Sequence, residues 1–296
     1  MNFRTDLAIE IKEIYDQNNK SEDVEIEGVE VDTDYFMDLV KITRIKITDE
    51  NGCKAMQKPK GNYITLEIEG VSSGFEEVKE IAALALSKEL KRLMNYHSNM
   101  RVLIIGLGND KVTPDSLGPY TVSKIKVTRH YYLTHDMEYD VEMSCVSGFI
   151  PGVMGSTGME TADLILSAAK IANPEVIIAI DSLAARNVNR ISTTIQISDT
   201  GISPGAGTGN MRKQLTEETL GTKVIAIGVP TVIDSKTLIL DNLSGFLKDP
   251  PTAEKYIDEN GKHMIVTSTE IDQVIKDFSD IISNAINITL HPGIYS

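Results

Sequence analysis

Three apolar runs at 102–105, 176–180 and 224–229 each end in an abrupt polar or glycine-rich turn. Unbroken Val, Ile and Ala runs of this length are the pattern of strands buried on both faces of a sheet. Between them lie stretches with helical spacing. Residues 75–96 place Val78, Ala82, Ala85, Leu86, Leu90, Leu93 and Met94 on one face, and 159–172 form a second helix closed by Asn173-Pro174. Further helices are expected over 7–20, with Asp6 as N-cap and Leu7, Ile11 and Ile14 on one stripe, and over 235–247. A last one runs from Ser268 or Thr269 to about Ile286. Strands are also expected at 193–197 and, as a short edge, at 264–266.

From 23 to 70 the period changes to two. Val24, Ile26 and later Ile64, Leu66 and Ile68 alternate with polar residues, as in half-buried antiparallel strands. Asn51-Gly52 predicts a hairpin turn. The apolar phase slips between Val40 and Ile47, which predicts a bulge. Apolar strands alternating with helices over 75–290 define the fold class: α/β, a mixed and mostly parallel sheet with helices on both faces. The β-rich segment 23–70 is expected as an elaboration laid against it, and Asp249-Pro-Pro as a linker.

Composition narrows the function classes. The chain has 296 residues, 41% hydrophobic, and 29 Lys and Arg against 43 Asp and Glu, a net charge of −14. Such a balance argues against direct nucleic-acid binding, which requires cations to neutralise phosphates. The only cysteines, Cys53 and Cys145, form no CxxC, so neither a zinc site nor a disulfide framework is expected, and a reducing, cytoplasmic compartment is. No apolar run approaches the roughly 20 residues of a membrane helix, and the start has no signal-peptide core.

The chemistry is expected at strand ends, where loops converge in open α/β sheets. The strand at 102–105 leads through Gly106-Leu-Gly108 to Asn109, Asp110 and Asp115. The strand at 176–180 ends at Asp181, and the third leads to Asp234. Two carboxyls brought together cannot both ionise cheaply, so one keeps a proton while the other acts as base toward water. The competing reading makes each Asp the cap of the helix that follows, and Ser182 a first-turn residue. The dinucleotide fingerprint fails because its third glycine falls on Lys111. No G-x-S-x-G or H-E-x-x-H is present. His130 and His135 stand five apart without a carboxylate at metalloprotease spacing, and a metal held by Asp115, Asp181 and one distant His stays open. The Gly-rich loops 148–158 and 199–210 have the length of binding loops.

Several runs carry a resemblance: Gly-Leu-Gly-Asn at 106–109, Val-Thr-Pro-Asp-Ser-Leu-Gly-Pro at 112–119, Pro-Gly-Val-Met-Gly at 151–155, Ala-Ile-Asp-Ser-Leu-Ala-Ala-Arg at 179–186, Thr-Thr-Ile-Gln-Ile-Ser-Asp-Thr-Gly at 193–201 and Ile-Ala-Ile-Gly-Val-Pro-Thr-Val at 225–232. They are similar to the germination protease family of spore-forming bacteria, nearly end to end. The resemblance implies a fold like the hydrogenase-maturation peptidases and an aspartic-type endopeptidase that processes itself from a zymogen. It implies small acid-soluble spore proteins as substrates, a homotetramer, and residence in the forespore or spore core. No cofactor or metal is implied. The family's catalytic pair carries over to Asp115 and Asp181, and its self-cleavage site to the bond between Asp6 and Leu7. That makes 1–6 a short propeptide and 7–296 the peptidase domain. The Asp-Leu-Ala-x-Glu pattern at 6–10 resembles the cleavage sequence of the substrates. A metal-dependent peptidase of the same fold and a non-enzymatic binding module remain the rival readings.

Overall fold

The computed structural model describes residues 3–19, 24–71, 74–134, 142–205, 212–244, 246, 250–262 and 264–295. His135 and part of the second glycine-rich loop lie outside them. In chain order the elements are α1 (Ala8–Asn19), β1 (Val29–Phe36), β2 (Val40–Ile47), α2 (Glu50–Met56), β3 (Gly61–Ile68), α3 (Glu76–Met94) and β4 (Arg101–Gly106). Then come α4 (Leu117–Ser123), α5 (Arg129–Thr134), β5 (Cys145–Phe149), α6 (Met154–Thr157), α7 (Thr161–Ala172), β6 (Val176–Ala185) and β7 (Thr194–Ser198). The chain closes with α8 (Glu217–Leu220), β8 (Lys223–Asp234), α9 (Ser235–Leu243), α10 (Pro250–Asn260), β9 (Ile265–Thr267) and α11 (Ile271–Leu290).

The strands form one nine-stranded mixed sheet in the order β1-β2-β3-β7-β8-β6-β4-β5, with β9 paired to β8. The apolar runs are the parallel centre, β8-β6-β4, with β5 outside it. Strands β1 to β3 pair antiparallel and join the centre through β7, so segment 23–70 extends the main sheet instead of lying against it.

One face is covered by α3 and α11, which pack on Ile104, Ile178, Ile180, Ile195, Ile225 and Ile227. The opposite face is covered in two separate patches. Helix α7 covers Leu103, Ile105, Ile177 and Ala179. Helix α1, with Met56 at the end of α2, covers Ile45, Ile47, Tyr63, Leu183 and Ala185. Along β6 the odd-numbered residues therefore run from one patch (177, 179) to the other (183, 185), because side chains alternate between faces. Residue 181 falls in the uncovered gap between them.

Several local expectations need correction. Asn51-Gly52 lies inside α2, where Asp49 accepts the Gly52 N–H at 2.9 Å, so a cap has replaced the hairpin turn. The β2 phase slip produces no bulge, and its register with both neighbours is unbroken. Val40 and Ile42 pack on the α3 face while Ile45 and Ile47 pack under α1, so the slip records a change of buried face. The irregularity lies instead between Leu183 and Ala184 of β6. Ser182 continues β6 and opens no helix. The two prolines at 250–251 begin α10, as proline suits a first helical turn. Asp6 does not cap α1; its carboxylate accepts the Ala184 N–H at 2.8 Å.

Candidate active site

The gap between the two helix patches is a cavity of about 720 Å³, and Asp6, Asp115 and Asp181 all line it. Its floor is formed by the sheet. Asp181 on β6 is paired with Gly228 on β8, and Gly228 with Gln196 on β7, so the three stand in one row across three strands. At about 4.8 Å per strand, Asp181 and Gln196 lie roughly 10 Å apart at their Cα atoms. Gly228 between them adds no side chain, and the Leu183 side chain leans over it to within 2.4 Å of where a Cβ would stand.

Asp115 arrives from the loop after β4. Leu107 N–H donates to the Ile180 carbonyl at 2.8 Å, pinning that loop to β6, and Asn109 N–H donates to the Asp115 carbonyl at 2.8 Å. Gly108 has φ +103°, and a Cβ there would stand 2.0 Å from the Asp115 carbonyl oxygen. A glycine is required at that crossing. Thr231 Oγ1 on β8 donates to the Pro114 carbonyl at 2.7 Å and fixes the turn of 3₁₀ helix at Thr113–Asp115 from the far side.

Burial pushes the Asp115 carboxyl up to about 6, partly offset by the Asn109 N–H. Asp181 is 6% exposed and rises well above the usual carboxylate range. Burial is the largest cause and the Asp115 charge the next; Asp6 adds to it, and one hydrogen bond from Ser182 N–H opposes it. Burial thus raises both acids, and the Asp115 charge adds to the rise at Asp181. Ser182 Oγ is buried without a hydrogen-bond partner among the described residues.

The N-terminal segment enters this cavity in extended form. Asp6 N–H donates to the Ala184 carbonyl at 2.9 Å, and its own carbonyl accepts Lys58 Nζ at 3.0 Å and Gln196 Nε2 at 3.1 Å. Beyond it Leu7 is buried under α1. Glu10, wholly buried, accepts the N–H groups of Arg186 at 2.7 Å and Asn187 at 2.9 Å and the Thr5 hydroxyl. Burial raises the carboxyls of Asp6 and Glu10 above their ordinary values despite these donors.

Asp234 stands outside the cavity and accepts the Thr237 N–H at 3.1 Å, capping α9. His130 is exposed, its ring tilted against that of Tyr131, and Cys145 lies on β5, where burial raises its thiol. Both glycine-rich loops reach the cavity, through Gly152 to Met154 and Gly201 to Gly205. Among the described residues no three His, Cys, Asp or Glu side chains gather closely enough to hold a metal ion. None of their helices is long and apolar enough to cross a membrane.

Lys58 and Gln196 had not been singled out from the sequence. The signal for Gln196 was present in the alternation of Thr194, Gln196 and Ser198 against Ile195 and Ile197. A strand buried in mid-sheet had a polar row with no solvent to face.

A mixed α/β sheet with two buried carboxyls lining a gap in its helical cover is compatible with an aspartic-type peptidase. The comparisons with known proteins agree with that class. The family described as Germination protease matches residues 8–254. The germination protease of Caldanaerobacter subterraneus subsp. tengcongensis is 40% identical, covering 99% of this chain and 96% of its own. That of Clostridium tetani is also 40% identical over 99% and 97%, and that of Priestia megaterium is 36% identical over 97% and 93%. This chain belongs to the germination protease family, the aspartic-type peptidases of family A25.

Proposed function

We propose that the chain is a self-processing endopeptidase that cuts its own Asp6–Leu7 bond and, in trans, small acid-soluble spore proteins carrying a similar acidic-Leu-Ala sequence. The observation that carries this reading is the position of Asp6 in the cavity that Asp115 and Asp181 line. Asp115, the less buried of the two acids, is the base that takes a proton from water. Asp181, whose charge burial and Asp115 both oppose, is the acid that protonates the leaving nitrogen. Residues 1–6 are then the propeptide, and 7–296 the peptidase domain. Family membership supports spore proteins as substrates, the spore core as location and a homotetramer as the assembly. Native mass spectrometry checks the last of these.

The deciding experiment is N-terminal mass analysis after incubation at mildly acidic pH. Wild type should lose residues 1–6, and Asp115→Asn and Asp181→Asn should stay intact. Processing by either mutant at the wild-type rate would sink the pair.

A further inference from the structure

Two side chains converge on one atom. Lys58 Nζ and Gln196 Nε2 approach the Asp6 carbonyl oxygen at 3.0 and 3.1 Å. Neither orientation is accidental. Ala8 N–H, which can only donate, binds Gln196 Oε1 at 2.7 Å, so the amide must turn its NH₂ toward Asp6. Lys58 follows Gln57, which ends α2 in the left-handed conformation at φ 51°, and precedes Pro59. Its ammonium sits 5.6 Å from the centre of the Tyr63 ring, whose hydroxyl donates to the Pro59 carbonyl at 2.9 Å. Both groups line the same cavity as the two acids.

We propose that Lys58 Nζ and Gln196 Nε2 are the oxyanion-binding pair of this peptidase, receiving the negative charge that develops on the carbonyl oxygen of the bond being cut. The inference rests on Asp6–Leu7 being such a bond. In the first step the water oxygen bonds to the Asp6 carbonyl carbon while one of its protons passes to the Asp115 carboxylate. The C=O π pair moves onto oxygen, which stays charged between the lysine and the amide. In the second step that pair returns, the C–N bond breaks, and its electrons take the Asp181 proton. The products are a carboxyl at residue 6 and an amine at residue 7. Three carboxyls at one cavity make a developing alkoxide costly unless a cationic donor faces it; Lys58 is that donor, its ammonium disfavoured by burial and favoured by the Asp6 charge and by the alkoxide itself. Gln196 contributes direction, since its donor is fixed by Ala8.

The test follows full-length chains by mass spectrometry as residues 1–6 are lost, together with thermal melts. Lys58→Met and Gln196→Leu should each slow processing by about 10²–10³, the usual loss for one oxyanion donor, and Lys58→Arg should restore part of it. If Lys58→Met does not melt cooperatively, Lys58→Gln and Gln196→Leu carry the result. On enzymes left to process to completion, a peptide with the sequence of residues 3–12 should show the loss in kcat, with KM little changed. A loss in KM alone would make the two residues a seat for the segment and overturn the proposal. Wild type cut after Asp6 with both variants equally fast overturns the pair and leaves the self-cleavage reading standing. Wild type that stays intact at Asp6 removes both.

Discussion

Asp181 and Asp234 lie in adjacent parallel strands, and each is 6% exposed. Their surroundings differ completely. Asp234 ends β8 where α9 begins, and the first turn of that helix offers its carboxylate the Thr237 N–H and, at 3.3 Å, the Thr237 hydroxyl. Asp181 has no helix after it. Strand β6 runs on for four residues, and its carboxyl accepts from Ser182 N–H. A carboxylate at a helix start has backbone donors waiting for it and serves as a cap. One left with a single donor next to another acid keeps its proton and remains reactive. Burial alone does not separate these two aspartates; the supply of donors does.

The largest expected effect comes from Asp181→Asn. Peptide cleavage should fall by about 10²–10⁴, the range for an acid or base group, while the thermal midpoint at pH 7.5 holds or rises because a buried carboxyl that resists ionisation gives way to a neutral amide. A mutant that kept its activity would make Asp181 equivalent to Asp234. Next in size is Gly228→Val. A Cβ at 228 meets Leu183 side-chain atoms at 2.4 Å, so about 1–3 kcal/mol of stability should be lost to overpacking. The seat between Asp181 and Gln196 should close as well, as read by urea unfolding and by processing rate.

The pH dependence should separate the two acids further. The folded-state pKa of Asp115 is raised to about 6 from an unfolded value near 3.8. Its contribution to stability is therefore complete below the unfolded value and is lost as pH rises through about 6. Melting midpoints taken from pH 4 to 7.5 should fall more steeply for wild type than for Asp115→Asn. The smallest effect belongs to the cap. Asp234→Ala should cost about 1 kcal/mol and Asp234→Asn a few tenths, with peptidase rates unchanged in both; a fall in rate would move Asp234 into the site.

The parallel centre of the fold was legible because its strands are long apolar runs, and Asp115 and Asp181 were legible because they follow such runs. Two kinds of feature were not. Asn51-Gly52 has the chemistry of a turn, but Asp49 offers a cap to the same backbone, and the packing of Gly52 on the Gly28 carbonyl decides for helix; a Cβ there would lie 2.4 Å from that oxygen. Asp6 has the chemistry of a cap, but Ala184, far along the chain, offers both a donor and an acceptor. Local propensity yields where a distant partner supplies hydrogen bonds. Lys58 escaped for the same reason. Its role comes from the Asp6 carbonyl, 52 positions away.

The early end of the β4–β6 pairing has one more consequence. Strand β4 pairs with β6 only as far as Ile180, so the N–H and C=O of Ala184 face a vacant strand position, and residue 6 fills it. A guest peptide seeking that position competes with a tethered resident whose effective concentration is on the order of millimolar. On the proposed self-cleavage, an outside substrate that binds more weakly than this would enter only once the tether is cut, and the Asp6 segment would act until then as an intramolecular competitor.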